Sequence, residues 1–392
     1  MINFPIKTAT FYKNTLTILI GIFLGLFLII MLYESLSIDD TKNNNANELA
    51  LGKSTTSKYA SINDFKIHCS GPLDDKECIN GSIESKIKSN IVYLGNSQVH
   101  SINQIKSLDK TVIEIMHNYF IKLNLYLTAY TQANASLEEH YLLFENLRNK
   151  FPVKYLILPL VMDDMREYGA RDSIKNLMKL DEVSLNLSQN TFGRELIKEF
   201  RINRDNKSKK DNNGLHLQII IEDYLNKKLS KICSAWSDRA LLRSEIFGFL
   251  YNLRNFVFQI DSTSIRKMLP ATYKRNTKAL ISIFKVAKEN DIVVIPYIVP
   301  IRNDHPIPYN KEAYIIFKKE IKKISLLYGF PLLNLENKVH NHLWGFNESI
   351  SLGSEVKGID FMHFQGEGHQ ILASHLIDYF KTNILFKERK LN

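Results

Sequence analysis

A chain of 392 residues that is 45% hydrophobic and 23% charged has the composition of a globular protein of roughly two or three domains. Sixteen glycines and ten prolines exclude a collagen-like or linker-dominated chain, and three cysteines are too few for a disulfide scaffold or a multi-cysteine zinc module. Fifty-one basic against 41 acidic residues leave a net charge of +10, a sign that suits nucleic acid, an anionic membrane or an acidic polymer alike, so location has to decide.

The N-terminus supplies the location. From Thr15 to Tyr33 (TLTILIGIFLGLFLIIMLY) no residue is charged, a stretch close to the ~20 residues with which a helix crosses a ~30 Å hydrocarbon core. A cleaved signal peptide has a shorter apolar region and a small-residue cleavage site, whereas here the polar run Glu34–Asp40 follows. Lys7 and Lys13 precede the span and Glu34, Asp39 and Asp40 follow it, which predicts a cytoplasmic segment 1–14, an anchor at 15–33 and the remainder outside, periplasmic or on the cell surface. The membrane is therefore a partner and nucleic acid is not.

Residues 39–58 (DDTKNNNANELALGKSTTSK) are polar and aperiodic, which reads as a tether within an extracytoplasmic linker spanning 34–87. The fragment Gly52–Thr55 lacks the first glycine of a phosphate-binding loop, since Asn47 stands in its place. Cys69 and Cys78 flank a turn-rich stretch in which a short-loop disulfide and two free thiols are both open. Cys233 lies in a helical pattern as a small apolar residue.

From residue 88 to 383 short apolar runs alternate with amphipathic stretches. Five strands are predicted, at Ile91–Leu94, Leu123–Ala129, Lys154–Val161, Ile292–Val299 and Pro331–Leu335, with helices over Leu137–Asn149, Tyr273–Lys288, Asn310–Leu327 and Gly366–Phe380. Such alternation implies a three-layer α/β/α domain on a five-stranded parallel sheet. The stretch from about 165 to 270 breaks the alternation and reads as a helical insertion, and 384–392 is a tail.

Ligands of an open parallel sheet sit beyond the carboxyl ends of its strands. The first strand ends in Gly95-Asn96-Ser97-Gln98, a strand-to-helix turn that exposes a serine hydroxyl. A serine nucleophile needs an imidazole base, and the base needs an orienting carboxylate. Among 11 histidines, His363 lies three residues after an Asp, in Asp360-Phe361-Met362-His363, on what reads as a loop before the last helix.

The Gly-x-Ser block at the first strand, paired with a late Asp-x-x-His block that continues into Phe-Gln-Gly-Glu-Gly-His-Gln, resembles the SGNH (GDSL-type) hydrolase superfamily. With its anchor and insertion the chain is most similar to the membrane-anchored acyl-transfer branch typified by the D-alanyl-transfer protein of lipoteichoic acid D-alanylation. The resemblance implies the triad Ser97, His363 and Asp360, acyl-ester chemistry without a cofactor, and a multi-spanning membrane O-acyltransferase as partner. It also implies oxyanion donors in two middle blocks that this chain lacks: Ser97 N–H and Asn134 are the candidates, with helix capping the alternative for Asn134.

Other residues carry two readings. Asp163, Asp164 and Arg166, after the third strand, bind substrate or close an acidic turn locally; Arg302, after the fourth, grips an anionic group or forms a structural ion pair. His369 with His363 and Asp360 is a poor metal set, because no strong fourth ligand is evident, so no metal is expected. His100 is near the site or a polar helix residue, and Trp344 walls a pocket or packs in the core. The expected function is O-acylation of a cell-surface polysaccharide through a Ser97 acyl-enzyme, with a carbohydrate or lipid esterase and a non-catalytic glycan-binding subunit as alternatives.

Overall fold

Ile91, Val92, Tyr93 and Leu94 are all fully buried, as befits a parallel strand covered on both faces. In the computed structural model they lie at the centre of a six-stranded sheet. The structure describes residues 54–62, 65–211, 215–229, 253–260, 263–347 and 358–385, with Gly25, Phe247 and Leu250 as isolated positions. The chain divides into two units, residues 48–209 with 251–392 and residues 1–47 with 210–250.

The larger unit opens with β1 (Thr55–Ser57), β2 (Ser61–Ile62), β3 (Phe65–Lys66), β4 (His68–Cys69) and α1 (Asp75–Glu84). Next come β5 (Ser89–Gly95), α2 (Ser97–His100), β6 (Ser101–Asn103), α3 (Val112–Phe120), β7 (Leu125–Thr131), α4 (Leu137–Leu147) and β8 (Val153–Leu160). The insertion contains α5 (Asp172–Lys175), α6 (Asp181–Ser188) and α7 (Thr191–Asp211); of the smaller unit, α8 (Leu215–Leu229) is described. Then follow α9 (Pro270–Glu289), β9 (Val293–Ile298), α10 (Lys311–Tyr328), β10 (Leu333–Asn334), β11 (Trp344–Asn347), β12 (Gly358–Phe364) and α11 (Gly366–Phe380).

The sheet order is β10-β9-β8-β5-β7-β4, every pair parallel. Alternation along β5 sends Val92 and Leu94 into a core with α4, α9 and α10, and Ile91 and Tyr93 into a second core with α3 and α11. This is the expected three-layer α/β/α arrangement. The chain passes from β5 to β7 on one side and then to β8 on the other, so the carboxyl ends of β5 and β8 border the crevice where strand order reverses. Local chemistry sets the helix ends. Ser136 and Glu139 form a capping box at α4, and Gly329, with φ 83°, closes α10 in the left-handed conformation.

The structure corrects three expectations. The sheet has six strands, not five, because β4 joins its edge against β7. A two-residue strand has no periodicity to read; it is held by pairing, by the Cys69–Cys78 disulfide and by the His68–Thr131 hydrogen bond. Within the expected linker 34–87, residues 55–57, 61–62, 65–66, 68–69 and 75–84 form β1 to β4 and α1, and β1 is antiparallel to β6. Asp360 and His363 lie on β12, a strand paired antiparallel with β11 outside the main sheet, rather than on a loop. Among the described residues no helix is long and apolar enough to cross a membrane. The span 15–33, apart from Gly25, lies outside the described residues, as do Cys233, Gly52 and Lys53.

Candidate active site

The turn after β5 needs a glycine, since a Cβ on Gly95 would lie 2.8 Å from Val99 Cγ2 and 3.3 Å from Thr131 Cγ2. Asn96 then caps α2, its Oδ1 accepting from Gln98 N–H at 3.1 Å, and Ser97 becomes the first helical residue. His363 arrives from β12 with Nε2 3.0 Å from Ser97 Oγ and Nδ1 3.0 Å from Asp360 Oδ2. Residues separated by 266 positions thus form one continuous hydrogen-bonded relay.

The relay is held from several sides. Asp360 Oδ1 accepts from Met362 N–H and His363 N–H, each at 2.9 Å, and Oδ2 accepts from Asn103 Nδ2 at 3.1 Å. Burial by itself raises the Asp360 carboxyl, but His363 and those two N–H groups outweigh it and leave its pKa below the usual carboxylate value. Asp360 therefore remains an anion facing the imidazole. Asn103 reaches it because Gly345 of β11 has no side chain; a Cβ there would collide with Asn103.

The other polar side chains of the nucleophile turn each reach a different segment of the chain. Asn96 Nδ2 donates to both oxygens of Asp164, at 3.0 and 3.3 Å. Gln98 Nε2 donates to Pro300 O beyond β9 and to Met362 O on β12, each at 2.9 Å. His100 Nδ1 lies 2.7 Å from Thr131 Oγ1, which His68 Nε2 meets from β4 at 2.6 Å, while Tyr59 stacks on His100 with ring centroids 5.0 Å apart. Burial drives the His68 imidazole down to about 3 and His100 well below its usual value, so both are neutral. Gln98 and Asn103 were missed in the sequence. Both are amides whose importance lies in partners hundreds of residues away, and no local pattern marks them.

The remaining candidates are placed elsewhere. Asp164 is 2% exposed and supports Asn96 rather than facing an open site; burial raises its pKa well above the carboxylate range, with Asn96 opposing and Asp163, Glu167 and Glu139 reinforcing. Asp163 accepts from Arg166 at 3.0 Å, from Tyr309 at 3.0 Å and from Arg266, while Arg166 Nε also donates to Lys267 O. Both residues therefore fasten the exit of the insertion. Arg302 is committed to Asp304 through a bidentate pair at 2.7 and 3.0 Å and to Gly345 O at 2.9 Å, so the structural ion pair is what forms. Asn134, with φ 52°, is not a helix cap. Ser136 caps α4, and Asn134 lines a separate cleft with Glu139, Glu167 and Arg171.

His369 accepts from Val112 N–H at Nδ1 and donates from Nε2 to Ser101 O, which occupies both ring nitrogens. Among the described residues no group of three His, Cys, Asp or Glu side chains is placed to hold a metal ion. Trp344 is buried, edge-on to Phe364, with its N–H directed to Val339 O.

No family model matches the chain, and no curated protein resembles it. Solved structures similar to it include a Bacteroides fragilis protein provisionally described as an acylhydrolase, with 9% identity, a TM-score of 0.36, and coverage of 79% of this chain and 97% of that one. Another is a GDSL-like lipase from Bacteroides thetaiotaomicron, with 12% identity, a TM-score of 0.34, and coverage of 78% and 97%. Likenesses at these scores leave the family unassigned, and the functional reading rests on the site's own geometry.

Proposed function

We propose that the chain is an SGNH-type serine acyl-transfer enzyme, held outside the cytoplasm by residues 15–33, that moves an acyl group from an ester to a hydroxyl of a cell-surface glycan. The observation that carries the catalytic part is the Ser97–His363–Asp360 relay, with both links at 3.0 Å. Transfer, rather than hydrolysis, is supported by the uncharged run of residues 15–33, read as an anchor, and by the family resemblance of the two end blocks.

In the first half-reaction His363 Nε2 takes the Ser97 Oγ proton as the oxygen attacks the ester carbonyl. Asp360 stabilises the imidazolium and fixes the tautomer with Nδ1–H toward the carboxylate. The Ser97 N–H, at the start of α2, is the backbone donor for the developing oxyanion. Collapse expels the alcohol, which takes the proton from His363, and leaves Ser97 acylated. In the second half His363 deprotonates the acceptor hydroxyl as its oxygen attacks the acyl carbon, the carbon–Oγ bond breaks, and the proton passes from His363 to Ser97 Oγ. A multi-spanning membrane O-acyltransferase is the partner this reading implies for acyl delivery.

The test is labelling of the full-length protein with a serine-directed fluorophosphonate, followed by peptide mapping. Modification at Ser97 that Ser97→Ala abolishes and His363→Ala slows by at least ~10²-fold is expected. Labelling elsewhere, or none, overturns the reading. Acyl flux that rises with a glycan acceptor favours transfer, and flux indifferent to any acceptor favours the esterase.

A further inference from the structure

Asn134 lines a cleft at the carboxyl edge of the sheet, between the loop that follows β7 and the loop that follows β8. β7 and β8 flank β5, and Gly95 of β5 is in register with Thr131 of β7, so the cleft opens on the edge that carries Ser97. We propose that this cleft is a sugar-binding subsite, in which Tyr168 stacks on a pyranose ring while Glu167 and Asn134 hydrogen-bond its hydroxyls. The inference rests on the acyl-transfer reading above for what the sugar is for, and on the cleft alone for the binding.

The floor of the cleft is built and closed. Glu139 accepts from Arg171 N–H at 2.7 Å and from the Arg171 guanidinium at 2.9 Å, and the same guanidinium donates to Gln132 and to Ala133 O. Its walls are different. Among the described residues neither the Glu167 carboxyl nor the Asn134 amide has a protein hydrogen-bond partner, although Glu167 is partly buried. Tyr168 is 75% exposed, yet Arg275 sits 5.4 Å from its ring centroid, itself anchored by Glu138 and Glu199. An exposed aromatic held in place, beside an unpartnered carboxyl and amide, offers an apolar face and polar groups together.

Ligand class follows from charge. Two carboxyls line the cleft and the guanidinium is spent on Glu139 and its neighbours, which disfavours an anion. Burial, reinforced by Asp163 and opposed by Arg166 and Arg171, raises the Glu167 pKa, so a full cation gains less there than a neutral hydroxyl does. A neutral polyhydroxyl ring satisfies all three wall groups.

The experiment uses the full-length protein in lipid nanodiscs on an array of neutral, acidic and amino oligosaccharides. The expected result is retention of neutral oligosaccharides, weakened at least ~10-fold by Tyr168→Ala and by Glu167→Gln, with Ser97 phosphonate labelling unchanged in both variants. Retention of no neutral oligosaccharide, binding confined to charged ones, or variants that bind as the wild type does would overturn the subsite. Failure of Ser97 to label while neutral sugars still bind would overturn the catalytic reading and leave the subsite intact.

Discussion

The nucleophile turn and the cleft beside it lie on the same sheet edge and differ in what their donors and carboxyls meet. Around Ser97 the amide nitrogens and imidazoles are bonded: Asn96 to Asp164, Gln98 to Pro300 and Met362, His100 to Thr131, Asn103 to Asp360. Around Tyr168, among the described residues, the Glu167 carboxyl and the Asn134 amide are left without protein hydrogen-bond partners. Groups that must not move during a reaction are bound by the protein in advance, because a misplacement of ~1 Å can cost ~10²-fold in rate. Groups that must meet a ligand are kept for it.

The largest expected effect removes the centre of the first region. Ser97→Ala should abolish both phosphonate labelling and acyl transfer, and combining it with His363→Ala should add almost nothing, because the two act as one unit. Additive losses in measured acyl flux would break the picture of a single relay.

Next comes the amide that ties the turn to β12. Gln98→Met keeps the side-chain length and loses both donors, so the Ser97 labelling rate should fall by about 10²-fold while the KM for an ester substrate stays within about twofold. Pro300 O and Met362 O are left unpaired, and stability should drop by ~1–3 kcal/mol for each. An equal rise in KM would move Gln98 out of nucleophile positioning.

Acid should also destabilise the fold through its buried histidines. His68, His140 and His369 are fully buried; burial holds them at about 3, about 3 and about 4 when folded, against 6.5 when free. As pH falls below 6.5 the unfolded chain binds protons that the folded chain refuses, so stability present above 6.5 is lost toward the folded values at up to ~1.4 kcal/mol per pH unit per histidine. Urea midpoints measured from pH 7 to 4 check this. His140→Leu should flatten the slope, since neither ring nitrogen of His140 has a hydrogen-bond partner among the described residues.

The smallest effect is expected at Arg302, whose guanidinium is paired with Asp304 near the surface. Arg302→Ala should cost ~1 kcal/mol or less in thermal unfolding and leave KM for an ester substrate unchanged. A large rise in KM would restore the substrate-gripping role first considered for it.

The sequence alone determined the alternation of buried strands and amphipathic helices, because burial on both faces requires unbroken apolar runs such as Ile91–Leu94 and Lys154–Val161. It also determined the two chemical blocks, since Gly95-Asn96-Ser97 and Asp360–His363 are local patterns whose geometry is set within a few residues. What it left undecided depends on distance along the chain. β4 is two residues long and exists only through β7, and β1 exists only through β6. Asn134, Asp164 and Arg302 each carried two local readings, and tertiary contacts chose among them: Asn134 went to a cleft formed with the loop after β8, Asp164 to the underside of Asn96, and Arg302 to Asp304 and β11. A polar side chain takes whichever partner the fold brings within ~3 Å, and composition and spacing do not record which one that is.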